Sequence, residues 1–252
     1  MSNQTPPRIF GRQRRIAGYR RALVRQSRTD AARYVLDDMV EDMLDRLEFM
    51  RFEPKRVLVV GDWTGTLALS LRGRGAAVEE ADVRTLDEEK PLEGGSYDLI
   101  ASLASLGRVN DLPGALLHMR AALAESGMLI ASFLGAGSLA NLRRAMIAAE
   151  PDRPAARMHP LIDNAAGSAL MQRALFKRQV VDSRSLEVAF GSLDRLVSDL
   201  RDQGLTSSLA SPAPPLGKAA LERARAAFAK TRNDQGRTLE NFEILTLTGW
   251  KD

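Results

Sequence analysis

The sequence predicts a doubly wound α/β sheet, and three observations carry that reading. Apolar runs short enough to be strands alternate with amphipathic runs long enough to be helices from about residue 34 to residue 135. The first apolar run, VLVV at 57–60, leads directly into a glycine turn, GDWTG, and then into a helix-like stretch. Near the end of the chain only two further strand-like runs occur, about 178–190 and 240–249, set among helices. A chain of 252 residues, 44% apolar and 27% charged, can bury a substantial core, which excludes a disordered chain.

Taken in order, Thr29 is a fair N-cap for a helix running to about Met50. In it Val35, Met39, Met43 and Leu47 recur every fourth residue, while Asp37, Asp38, Glu41, Asp42, Asp45 and Glu48 form a solvated face. Phe52-Glu53-Pro54 ends it ahead of a buried strand from Arg56 to Val60. A short helix from about Gly65 to Arg72 is closed by Gly73 and Gly75. Strands follow at 77–82 and 97–103. Asp111, with Pro113 in the first turn, starts a helix that stops at Ser126-Gly127, and MLIASFLG at 128–135 is another buried strand. Helices are expected near 138–149, 164–176, 192–203 and 217–230, with SPAPPLG at 211–217 as a loop.

Only 14 residues separate Asp82 from Tyr97, and a parallel crossover needs about a dozen or more. A second crossover with a strand between cannot fit. The strand ending at Asp82 is therefore expected at the edge of the sheet. Residues 29–252 are expected to be one domain, with a helical insertion at about 138–176 over the ligand edge of the sheet.

Residues 1–28 hold eight arginines and no acid, so the remainder of the chain is net acidic although the whole carries +4. This basic arm is expected to be helical, loosely packed and removable without unfolding the domain. Aromatic residues are sparse in it, which argues against a nucleic-acid reader. Cysteine is absent, excluding disulfides, thiolate metal sites and a cysteine nucleophile, as fits a cytoplasmic protein. Two histidines and no cysteine make a zinc site poor chemistry. No apolar run reaches 18 residues, and MSNQTPPRIFGRQRR has no signal-like core, so neither a membrane span nor a secretory leader is expected.

Glycines after a first strand let a ligand approach the backbone, and the helix N-terminus beyond them offers free N–H groups. A carboxylate ending the second strand, Asp82, can accept both hydroxyls of a ribose. With these features the chain resembles the class I S-adenosylmethionine-dependent methyltransferases. More narrowly it is similar to a bacterial and mitochondrial group that includes arginine-hydroxylating assembly proteins of respiratory complex I, with carrier-protein methyltransferases further off. The likeness runs from RIFGRQRR (8–15) through residues 102–135, which contain VNDLP, then MHPLID (158–163) and SLDRLVSDLRDQG (192–204), to FEILTLTGWK (242–251).

The resemblance implies S-adenosylmethionine held by Gly61, Asp62 and Gly65 at the methionyl end, Asp82 at the ribose, Asp87-Glu88 near the adenine and Ser102 near the sulfonium. It also sharpens the departures. Val59 stands where the family has an acid for the cofactor's ammonium, Trp63 replaces a glycine, and Gly107-Arg108 replaces an aromatic pair. Candidate catalytic residues are few: Asn110 in the loop facing the transferred group, and His159 in the insertion. Asp111 is explained as a helix cap. The implied function is methyl transfer to a protein or carrier-bound substrate, in the extreme case an arginine of a respiratory complex subunit. The alternative is a catalytically silent assembly or binding factor with a degenerate cofactor site.

Overall fold

The computed structural model describes residues 8–152 and 155–252. Helix α1 (Arg12–Arg25) and helix α2 (Tyr34–Phe49) precede the first strand, β1 (Arg56–Val60). Then come α3 (Thr66–Gly73), β2 (Ala77–Ala81), β3 (Tyr97–Leu103), a single 3-10 turn at Leu106–Arg108, and α4 (Leu112–Ala122). The second half runs β4 (Leu123–Leu134), α5 (Ala140–Ala149), α6 (Asn164–Arg173), β5 (Lys177–Phe190), α7 (Leu193–Asp202), α8 (Lys218–Ala229) and β6 (Thr238–Trp250).

The sheet order is β2-β1-β3-β4-β6-β5, with β1 to β4 parallel and β6 inserted antiparallel between β4 and β5. β2 is the edge strand, as the short connection to Tyr97 requires. Residues 83–96 contribute turns and no strand. The edge stays hydrophilic: Glu79 and Glu80 are exposed, with Glu80 bonded to Arg72, and such charges discourage pairing with another chain.

Alternation along the strands feeds two cores, one on each face. Val57, Val59, Leu99, Ala101 and Leu103 pack with α2, α3, α5, α7 and α8 through Met39, Met43, Leu67, Leu142, Leu196 and Phe228. Leu58, Val60, Ile100, Leu129 and Ala131 pack with α4 and α6 through Leu116, Met119 and Met171. Of the segment expected as an insertion, α5 thus lies on the first face and α6 on the second. The sheet is wound on both sides.

Local differences from the expectation have local causes. α2 starts at Tyr34, five residues after Thr29, with Arg33 at its N-cap and no side-chain cap. Instead the amide of Val35 donates to Gln203 Oε1 (2.8 Å) and that of Ala32 to Asp202 Oδ2 (3.2 Å), so α7 supplies the cap from outside. α4 ends at Ala122 rather than near Ser126, because Leu123 is already extended and pairs with Tyr97. The ladder resumes at Met128 after a turn in which Ser126 adopts φ 62°. The cap on α4 is as expected: Asp111 accepts from the Gly114 amide at 2.9 Å.

Helix α1 is helical as expected, but it is not loosely packed. Arg15, Ile16 and Ala22 are buried, Phe10 just before it is 4% exposed, and its far end is fastened to α7. Arg25 Nε reaches Asp202 Oδ1 at 2.5 Å, and Gln26 Nε2 the Asp202 carbonyl at 2.8 Å.

Candidate functional site

The site lies at the carboxyl ends of β1, β2 and β3, where the sheet's connections diverge and leave a crevice. Gly61 follows β1 with φ 84°, and a methyl group on it would collide with the Leu103 backbone oxygen. Glycine is required there, because β1 and the end of β3 approach too closely for a side chain. Gly65, with φ 73° and open space around it, sits at the N-cap of α3.

Between these glycines Asp62 turns inward and is 8% exposed. Its carboxylate accepts from the amides of Gly65 (3.0 Å), Leu67 (2.8 Å) and Ala68 (3.2 Å), and from the Thr64 hydroxyl (2.8 Å). The donors at the start of α3, which would cradle an anionic group, are thus met by the chain itself. Trp63 packs partly against the first core and partly against the crevice.

Asp82 follows β2. Arg84 grips it with Nε at 3.0 and 3.1 Å and a second nitrogen at 2.7 Å, while the Arg84 amide donates to it at 2.7 Å. Partial burial opposes ionisation, but these bonds outweigh it and hold the carboxyl below its usual range. The same guanidinium lies over the Tyr19 ring, 5.2 Å from its centroid. Burial and the Asp82 charge push the Tyr19 phenol well above its ordinary value, so it stays neutral.

Deeper in the crevice Arg15, 5% exposed, meets Glu88, 1% exposed, at 2.7 Å, and the Ser105 hydroxyl bonds the same carboxylate. Burial would raise the Glu88 carboxyl, but Arg15 and Ser105 hold it down. Arg108 is half-buried beside them, bonded to the carbonyls of Gly204 (2.7 Å) and Ala104 (3.1 Å). Burial and the neighbouring Arg15 charge lower its pKa to about 10. Ser105 therefore lines the crevice, whereas Ser102 lies in β3 with its hydroxyl buried and unpartnered. Asp87 sits outside the buried pair, 3.7 Å from Arg12 and 3.8 Å from Lys90.

Asn110 and His159 come together, and what they share is Phe10. Asn110 Oδ1 accepts from the Phe10 amide (2.7 Å), and Asn110 Nδ2 donates to the Phe10 carbonyl (3.2 Å) and to Glu89 (3.1 Å). The imidazole of His159 meets the Phe10 ring edge-on at 5.1 Å, and its Nε2 accepts from the Ser208 amide at 2.8 Å. Burial, helped by Arg108, lowers the His159 pKa to about 4, so the ring is neutral at pH 7. The sequence offered both residues as candidate catalytic groups. It held no signal that both would clasp the segment ahead of α1.

Two larger cavities flank the crevice. One, of about 340 Å³, shares Arg15 with the crevice and is ringed further by Arg8, Arg12, Asp87, Glu89 and Asn110. The other, of about 210 Å³, is apolar; Leu134, Leu142, Met146, Met158, Val197 and Leu200 line it, with His159 at its margin. Among the described residues no three metal-ligating side chains converge, and no helix is long and apolar enough to cross a membrane.

The part of the crevice over Gly61 does not admit the methionyl end of S-adenosylmethionine in this conformation. Arg15, Tyr19, Ala22 and Trp63 leave about 20 Å³ over Gly61, Val83 and Ser105, room for roughly one water. Pockets for molecules of the cofactor's size enclose roughly 300 Å³ or more. Val59, where the family has an acid, is 1% exposed and packed into the first core.

This architecture is nevertheless that of the Rossmann-like class I S-adenosylmethionine-dependent methyltransferases. The 1,6-didemethyltoxoflavin-N1-methyltransferase of Burkholderia thailandensis, solved with S-adenosylhomocysteine, superposes over 95% of this chain and 86% of its own. The TM-score is 0.50 and the identity 12%, a likeness of fold alone. No protein-family model matches the chain. In sequence it is 28% identical over 181 residues to the mitochondrial arginine-hydroxylase NDUFAF5 of Mus musculus, covering 68% of this chain and 53% of that protein. It is 26% identical over 255 residues to the malonyl-[acyl-carrier protein] O-methyltransferase of Gallionella capsiferriformans, covering 88% of this chain and 86% of that protein. The chain thus spans about half the length of the hydroxylase relative and most of the carrier-protein methyltransferase. The relatives are those the sequence motifs anticipated.

Proposed function

We propose that this chain is an S-adenosylmethionine-dependent methyltransferase-like protein acting on a protein or carrier-bound substrate in the cytoplasm. The observation that carries the reading is the extent of the likeness: 88% of the chain aligns with a carrier-protein methyltransferase and the fold is the matching one. In this reading Gly61 after β1, Asp82 after β2, and Asp87 and Ser105 in the loops beyond would form the nucleoside site. The apolar cavity beside His159 offers a place for the aliphatic part of a carrier-bound acceptor. Asn110 and His159 serve in this reading by holding Phe10 at the mouth of the site.

A second reading has its own observation. The crevice is filled by Arg15, Tyr19 and Trp63, Asp82 is engaged by Arg84, and Asp62 by α3. A methyltransferase-fold assembly or binding factor without catalysis, for instance one serving a respiratory complex subunit as the arginine-hydroxylase likeness implies, would have no need of an open crevice.

Calorimetric titration of the full chain with S-adenosylmethionine and S-adenosylhomocysteine separates the two. It is best paired with transfer of labelled methyl groups to malonyl-carrier protein and to a respiratory-subunit peptide. Label in either acceptor supports the enzyme. Absence of binding and of transfer leaves the silent factor.

A further inference from the structure

We propose that α1 is a built-in occupant of the nucleoside crevice, competing with an adenosyl ligand for the ends of β1, β2 and β3. The inference rests on the cofactor reading above and adds a gate to it.

A lid closing over a ligand would leave a ligand-sized space beneath it. Over Gly61, Val83 and Ser105 the residual space is about 20 Å³, because side chains of α1 stand inside this part of the crevice rather than across its mouth. The cavity of about 340 Å³ adjoins it at Arg15. Arg15 reaches the Glu88 and Ser105 side chains, and Tyr19 lies at Asp82 under Arg84. These are the positions where the fold would seat adenine and ribose. The helix and the ligand exclude each other sterically.

The filled crevice is also imperfectly satisfied. Arg15 Nε, Glu88 Oε2 and Arg108 Nε are buried with no hydrogen-bond partner. The buried guanidinium of Arg15 and the half-buried one of Arg108 both lie beside the Glu88 carboxylate. Unmet polar atoms are expensive in a permanent core, whereas a polar crevice that exchanges one occupant for another leaves some unmet in each state.

The fastenings that hold α1 lie outside the crevice. At its start, Phe10 is clasped by Asn110, His159 and a short bridge to Leu209. At its end, Arg25 and Arg28 share Asp202 of α7. Loosening both ends would free the helix while leaving Gly61, Asp82 and Glu88 in place. An equilibrium between docked and released α1 reduces apparent ligand affinity by the released fraction.

The test titrates S-adenosylhomocysteine into the full native chain and into the full-length Phe10→Ala/Arg25→Ala variant, with hydrogen exchange followed over residues 12–25. The expected result is at least roughly tenfold tighter binding by the variant. Exchange in α1 of the native chain should rise on saturation with ligand. Tight binding by the native chain with α1 exchange slowed or unchanged would overturn the gate and leave the cofactor reading standing. If the variant shows a freely exchanging α1 and still binds nothing, both fail and the silent factor takes their place. Should that variant not fold, Tyr19→Ala and the ligand response of exchange in the native chain decide the same question.

Discussion

Replacing Arg15 by methionine perturbs the buried pair at the centre of the crevice. Arg15 and Glu88 are 5% and 1% exposed and 2.7 Å apart, so the substitution strands a carboxylate with almost no access to water. Breaking such a pair from one side costs about 3–5 kcal/mol. The orphaned Arg15 Nε and Glu88 Oε2 show that the pair makes fewer bonds than it could, which places the expectation near the lower end, about 3 kcal/mol. Glu88→Leu alone should cost a similar amount, because Arg15 and Arg108 then face each other unscreened. The double replacement should cost much less than the sum, giving a coupling of at least about 2 kcal/mol. The pH dependence has a definite sign. In the native chain the Glu88 carboxyl is held below its unfolded value, so its contribution is present above that value and lost as pH falls through the folded one. Without Arg15 burial raises it, so the variant's deficit grows as pH rises through the carboxylate range and shrinks in acid. Urea unfolding of the four proteins at pH 7 and at acid pH measures both quantities. A cost below about 1 kcal/mol for Arg15→Met, or strict additivity, would refute the reasoning.

The neutral His159 predicts acid sensitivity: with its pKa lowered to about 4, the folded chain binds fewer protons than the unfolded one below pH 6.5. Stability should fall by up to about 3 kcal/mol between pH 6.5 and 4 on this account, and His159→Gln should flatten that part of the curve. An unchanged slope in the variant would remove His159 as the cause. The two turn glycines should separate in denaturant: Gly65→Ala should cost about 1–2 kcal/mol for its left-handed backbone, and Gly61→Ala distinctly more, because it also meets the Leu103 carbonyl. Equal costs would show that β1 and β3 do not approach as described. Asn110→Ala should release the Phe10 segment, so that trypsin cleaves among Arg8, Arg12 and Arg14 faster than in the parent while the global transition shifts by about 1–3 kcal/mol. Unchanged cleavage would argue that the bridge to Leu209 alone holds that segment.

The sequence by itself determined the winding of the sheet. Hydrophobic period and glycine placement act locally, so VLVV, YDLIASL and MLIASFLG declare buried parallel strands, and Asp111-Leu112-Pro113 declares a helix start. The 14 residues between Asp82 and Tyr97 fixed β2 at the edge, because chain length alone limits what can cross a sheet. That Gly61 and Asp82 each directly follow a strand was legible for the same reason. What only the tertiary structure decided is which groups occupy the crevice. Arg15 lies 73 residues from Glu88, and Phe10 lies 100 residues from Asn110. An arginine-rich, acid-free helix looks solvated until an acid from a distant loop pairs with one of its guanidiniums in the interior. Asp62 likewise reads as a ligand contact or as a cap, and the choice falls to the cap because the α3 amides lie within 3.2 Å of its carboxylate. Long-range charge pairing leaves no periodicity in a sequence, and so the contents of this crevice could be read only from the folded chain.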